Sequence, residues 1–140
     1  MMIVQKRPLR LSIDLDSPVA VARQIADGLR VLLVRGALKA GDDLPSSRRL
    51  ATELAVHFNT VAEAYRELER EGWLELRRKQ GTLVRERPQP QPSRSERDTL
   101  QADFTDELER LLSRYQSRGL STVPLSAALR DAARDIKGEK

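Results

Sequence analysis

Between Ser46 and Gly72 the chain carries two short helical stripes joined by a tight link, and this spacing limits what it can build. Leu50, Ala51 and Leu54 recur at the three- and four-residue steps of a helix, as do Val61, Ala64, Tyr65 and Leu68. Only Ala55-Val56-His57-Phe58 separates the two stretches. Ser46 or Ser47 is the expected cap of the first helix, which runs through about Leu54. Asn59 is the expected cap of the second, predicted from Thr60 to about Glu71 and terminated by Gly72.

The flanking segments complete the pattern. Upstream, Leu9, Leu11, Ile13 and Leu15 alternate with polar residues, which suits a short strand or an extended arm. Asp16-Ser17-Pro18 reads as a helix start, with Ser17 as cap and Pro18 in the first helical position. That helix is expected to run to about Arg35, stop at Gly36 and turn Val21, Ile25, Leu29, Leu32 and Leu33 inward. Leu38 to Pro45 is rich in turn residues and reads as a connection. Downstream, Trp73–Leu76 and Thr82–Val84 read as two strands around the basic turn Arg77-Arg78-Lys79-Gln80-Gly81.

The expected fold class is therefore mainly α with a small β-hairpin, a winged helix-turn-helix domain followed by two C-terminal helices. Residues 1–86 form the first domain in this reading. Residues 87–99 carry three prolines and no aliphatic side chain before Leu100, and read as a stiff linker. Residues 100–140 form a helical segment. Phe104, Leu108, Leu111, Leu112 and Tyr115 make one apolar stripe; Leu125, Ala128, Leu129, Ala132 and Ile136 make another. Two isolated amphipathic helices of about 15 residues are marginal in water. Their stripes need each other and a partner chain, so they are the candidate dimerisation surface.

Composition narrows the chemistry. The chain has no cysteine and a single histidine, His57, so no disulfide framework, cysteine zinc site or thiol nucleophile is available. No catalytic constellation and no metal-ligand spacing emerges around His57, and neither an enzyme activity nor a cofactor is expected. No apolar run approaches the roughly 18 residues that cross a bilayer, and the N-terminal residues lack a signal-peptide core; a cytoplasmic location is expected. Net charge is only +4, with 15 Lys/Arg against 12 Asp/Glu in residues 1–86 and 10 against 9 beyond. A nucleic-acid partner would have to be met by locally placed charge.

Such charge is present. The wing turn places Arg77, Arg78 and Lys79 in a row, and the short helix opens with Ser46, Ser47, Arg48 and Arg49, hydroxyls and cations suited to a phosphate. The front of the following helix, His57 to Thr60 with Ala62 and Glu63, is small or polar where base edges would lie. Each feature has a plainer reading: arginines on a solvated face, Asn59 as a cap alone, Gly81 for a positive φ. A winged-helix module that binds only other proteins is the alternative class. A gel shift on random genomic fragments separates the two.

The residues also resemble a known family. Gly36, Leu38, Gly41, Leu44-Pro45-Ser46-Ser47-Arg48-Arg49-Leu50-Ala51, Asn59-Thr60-Val61, Ala64-Tyr65, Leu68-Glu69, Glu71-Gly72-Trp73-Leu74 and Gln80-Gly81-Thr82-Leu83-Val84 stand in register with the GntR family of bacterial regulators. The resemblance covers about residues 10–86, and the short C-terminal part resembles the YtrA-type subfamily, in which two small helices dimerise the protein. It implies a homodimer that binds double-stranded operator DNA and regulates transcription, with repression the expected direction. It implies DNA contact at Arg48, at Phe58, Asn59 and Thr60, and at Lys79, Gln80, Gly81 and Thr82; Ser46, Ser47, Arg49, His57 and Arg78 join them as candidates on their charge or hydrogen-bonding groups alone. Some members have arginine or threonine where this chain has Phe58, so its ring is left to meet a thymine methyl or to pack. An unidentified small-molecule effector is an open question of mechanism, since no residue cluster marks one.

Overall fold

The computed structural model describes residues 9–78 and 81–138 of the 140-residue chain. They fall into two units, the first ending at Gln89 and the second beginning at Pro90. In the first, Leu9, Leu11 and Ile13 lie half-buried against the core while Arg10, Ser12 and Asp14 face solvent. The segment is an extended arm rather than a strand. Gly28, in the middle of the helix it crosses, makes room for it, since a Cβ there would lie 2.9 Å from a methyl of Leu11.

Helix α1 spans Val21–Val34, three residues later than the expected start at Pro18. The polar groups of the preceding turn find partners that hold it out of the helix. Ser17 Oγ accepts from the Val19 N–H at 3.1 Å instead of capping. The Gln24 side chain accepts from the Asp14 N–H at 2.8 Å and donates to the carbonyls of Asp14 and Val19 at 2.9 and 2.8 Å. Its inner face is Ile25, Ala26, Leu29 and Leu33.

The connection after α1 contains a strand that periodicity could not reveal. β1 is only Asp43–Leu44, too short to show alternation. Then come α2 (Ser47–Leu54), α3 (Phe58–Arg70), β2 (Leu74–Arg77) and β3 (Gly81–Val84). The three strands form an antiparallel sheet in the order β1-β3-β2, with Leu44 opposite Thr82 and Arg77 opposite Gly81. Gly72, at φ 88°, ends α3 and turns the chain directly into β2.

One core joins these elements. Ile25 and Leu29 of α1, Leu50 of α2, Val61, Ala64, Tyr65 and Leu68 of α3, and Leu74 of β2 are fully buried, with Leu44 and Val84 nearly so. A polar clamp closes α1 on α3. Arg30 makes a two-point contact with Glu71, at 2.6 and 3.0 Å, and also pairs with Asp27 at 2.7 Å and Glu67 at 3.5 Å. The hydrogen bond from Arg30 holds the Glu71 carboxyl below its ordinary value. Its stabilising contribution is therefore complete above the ordinary carboxylate range and is lost as pH falls through the lowered native value.

In the second unit, α4 spans Arg94–Ser117 and α5 spans Thr122–Lys137, with Gly119 at φ 98° in the turn between them. The linker expected over residues 87–99 is thus cut short at its C-terminal end. Ser93 and Glu96 form a reciprocal cap in which Ser93 Oγ accepts from the Glu96 N–H and Glu96 Oε2 accepts from the Ser93 N–H, at 3.3 and 2.6 Å. That box starts the helix well before the first apolar residue. Neither α4 nor α5 buries a single residue.

Ala55, which ends α2, is the only described residue other than glycine with a positive φ, at 57°. The turn needs this left-handed residue because the Ala55 and Val56 N–H groups bond back to carbonyls of the last helical turn. Ala55→Gly should therefore stabilise the first unit by about 0.5–1 kcal/mol, raising its melting temperature by roughly 2–8 °C. Differential scanning calorimetry measures this, and a lower melting temperature would contradict the assignment of strain to Ala55.

Candidate nucleic-acid interface

Three segments of the first unit carry the candidate residues: the start of α2, the start of α3 and the turn between β2 and β3. At the start of α2, Ser46 caps the helix by accepting from the Arg49 N–H at 3.2 Å. Ser47 is half-buried, and Arg48 and Arg49 are exposed. The two arginines are not equivalent. Arg49 Nε lies 3.2 Å from Glu53 Oε1, one turn along, which offsets its charge. Arg48 makes no ion pair among the described residues; its guanidinium Cζ instead sits 4.9 Å from the centroid of the Phe58 ring.

At the start of α3 the cap is His57, not Asn59. The His57 Nδ1 accepts from the Asn59 N–H at 3.1 Å, so helical geometry begins at Phe58. An imidazole is a less frequent cap than an amide, which is why Asn59 was the expected residue. The result releases Asn59 from capping and leaves it exposed in the first turn, with Thr60 half-buried beside it. The His57 ring stacks on Phe58 with centroids 4.8 Å apart and planes 27° apart. Phe58 keeps 39% of its surface open and takes no part in the core.

Tyr65 fixes the two helix starts relative to each other. Its fully buried hydroxyl donates to the Pro45 carbonyl at 2.7 Å, tying the inner face of α3 to the loop that feeds α2. Burial pushes the phenol far above its ordinary value, so it remains a donor across the accessible pH range. Sequence reasoning placed Tyr65 in the core from its spacing but had no signal for this bond, because the partner is a backbone carbonyl 20 residues away.

The hairpin divides its candidates. Arg78 is exposed at the start of the turn. Gly81, at φ 81°, is half-buried and opposite Arg77. Lys79 and Gln80 lie outside the described residues. Thr82 is a correction: only 4% exposed, it sits in β3 between Leu44 and Leu76 and is closed to a ligand. In a two-residue-period strand, Thr82 and Val84 share the inward face. Arg77 is likewise engaged, with Nη2 3.3 Å from Asp43 on β1. Arg87, expected in the linker, is anchored to this unit by donating Nε to the Glu71 carbonyl at 2.9 Å and by lying 4.3 Å from the Trp73 ring.

Three helices and a hairpin in a sheet of three short strands define a winged helix-turn-helix protein. Residues 21–84 match the family described as bacterial regulatory proteins, gntR family. Over 130 residues the chain is 32% identical to the HTH-type transcriptional repressor YtrA of Bacillus subtilis (strain 168), covering 93% of this chain and 97% of that one. The chain belongs to the GntR family and is a DNA-binding transcriptional regulator. Among solved structures, it is similar to YtrA from Sulfolobus acidocaldarius, a GntR-family transcription factor, at 34% identity and a TM-score of 0.56 over 71% of this chain and 97% of that one. A Listeria monocytogenes EGD-e protein described as a transcriptional antiterminator shares the fold, with 23% identity and a TM-score of 0.66 over 91% and 92% of the two chains. No described helix is long and apolar enough to cross a membrane.

Removing the Tyr65 hydroxyl should loosen the tie between α2 and α3. Tyr65→Phe leaves the packing intact and the Pro45 carbonyl without its donor, at a cost of about 1–3 kcal/mol. Chemical denaturation checks this, and unchanged stability would mean that the bond is not the strut described.

Proposed function

We propose that the chain acts as a homodimer on an operator of two inverted half-sites and represses transcription there. The observation that carries this reading is the division of exposed surface between its two units. In the first, an uncompensated arginine, an aromatic pair and a polar first turn of α3 are offered together. In the second, a stripe of large apolar side chains is offered along both helices. Phe104 is 63% exposed, Leu111 44%, Tyr115 39%, Leu129 41% and Ile136 85%, while Leu108, Leu112 and Leu125 are half-buried. A soluble chain does not leave such a stripe in water without a use, and a second copy supplies a surface of matching character.

In this reading α3 enters the major groove and residues 1–86 form the DNA-binding domain. Arg48 reads a base, while Ser46, Ser47, Asn59 and Thr60 meet backbone or bases. Arg78, Lys79, Gln80 and Gly81 of the hairpin reach the backbone or minor groove, and Arg49 adds a weaker phosphate contact because Glu53 competes for it. The helices from Arg94 onward hold the dimer, whose symmetry sets the half-sites about one DNA turn apart. Repression is supported by the name of the Bacillus subtilis relative, and a cytoplasmic location follows from the DNA target.

Two substitutions test the two halves. Arg48→Ala should weaken operator binding by roughly 1–3 kcal/mol and abolish preference at one base pair per half-site. A loss uniform across all sequences would reassign Arg48 to a phosphate. Phe104→Glu combined with Leu111→Glu should turn a dimer into a monomer by sedimentation equilibrium and reduce operator affinity to the non-specific level. A double variant that stays dimeric would place the dimer contact elsewhere.

A further inference from the structure

Phe58 is the one large apolar side chain presented by the first turn of α3, and three observations define its setting. The ring is absent from the core although α3 buries four other residues. It is ordered by two neighbours, the stacked His57 imidazole 4.8 Å away and the Arg48 guanidinium 4.9 Å away. His57 is itself held by its cap to the Asn59 N–H. Phe58 still leaves 39% of its surface open. A ring held in this way is poised for a contact, and it has no hydrogen bond to offer. In the major groove the apolar feature that distinguishes one base is the 5-methyl group of thymine.

We propose that Phe58 is a specificity-determining residue that packs on the 5-methyl group of a thymine beside the base pair read by Arg48. The proposal rests on the operator-binding reading above and deepens it. The pairing of the two contacts follows from distance. Base pairs stack about 3.4 Å apart, so a guanidinium held 4.9 Å from the ring centroid can meet one base pair while the ring meets its neighbour. Phe58 and Arg48 then read a dinucleotide jointly. The cation–ring contact orients the guanidinium before DNA arrives, and the methyl completes the cover over the ring.

The test uses the full chain and the genomic fragment that it binds most tightly. Deoxyuridine replaces thymidine at one position at a time, in both half-sites. The exchange removes the methyl and leaves base pairing and the groove hydrogen-bonding groups unchanged. One position per half-site, next to the base pair whose identity ceases to matter in Arg48→Ala, should lose about fourfold in affinity, the effect of exposing one methyl. Phe58→Ala should bind the two duplexes equally, and Phe58→Leu should retain part of the discrimination. Since the side chain lies outside the core, both variants should melt as the parent does; the scan with the unsubstituted protein stands without them. A selected fragment insensitive to every replacement overturns the proposal and leaves operator binding intact, as does methyl sensitivity that persists in Phe58→Ala. A protein that selects no fragment overturns both.

Discussion

Helix α3 buries Val61, Ala64, Tyr65 and Leu68, and with these four held inward the opposite face can only meet solvent or a ligand. Rotation of α3 about its axis would expose a fully buried tyrosine and break its bond to Pro45, so the azimuth of the helix is set by the core. The same bond sets where α2 begins, because Pro45 immediately precedes its cap, Ser46. The geometry of the candidate interface is therefore a consequence of core packing: Arg48, at the start of α2, meets Phe58, at the start of α3, because Tyr65 ties the loop before one helix to the inner face of the other.

Charge is managed as locally as packing. The net charge is small, and several cations of the first unit have an acidic neighbour: Arg49 has Glu53, Arg77 has Asp43, and Arg30 is enclosed by Asp27, Glu67 and Glu71. Arg48 stands apart, resting on an aromatic ring rather than a carboxylate. A ring stabilises a cation without neutralising it, so the guanidinium keeps its charge. This distinguishes Arg48 from Arg49, which the sequence alone shows only as adjacent arginines at the start of one helix.

Much of the fold was legible because it rests on periodicity and on glycine. The inner faces of α1, α2 and α3, the break at Gly72 and the hairpin around the basic turn all follow from spacing. What escaped the reading depends on single long-range or side-chain-specific contacts. β1 is two residues long and exists only by pairing with β3. The start of α1 is delayed because Gln24 and Ser17 satisfy the preceding backbone in a turn. His57 displaces Asn59 as the cap, and the Ser93–Glu96 box draws the start of α4 back into the proline-rich stretch. Among the candidate contacts, Thr82 matched a family motif whose spacing says nothing of orientation, and the strand turns it inward. The ring between His57 and Arg48 could not be read from sequence, since it needs α2 and α3 placed in space.

The measurement that bears most directly on the central claim is selection of genomic fragments by the purified full chain, followed by footprinting and a salt titration on the best fragment. A dimer that makes about four phosphate contacts per protomer should protect an inverted repeat with centres about one turn apart, and its logarithmic affinity should fall with logarithmic salt at a slope near −7, from about −0.9 per contact. A single protected site, or no enrichment above non-specific binding, would contradict the reading of this chain as a dimeric operator-binding regulator.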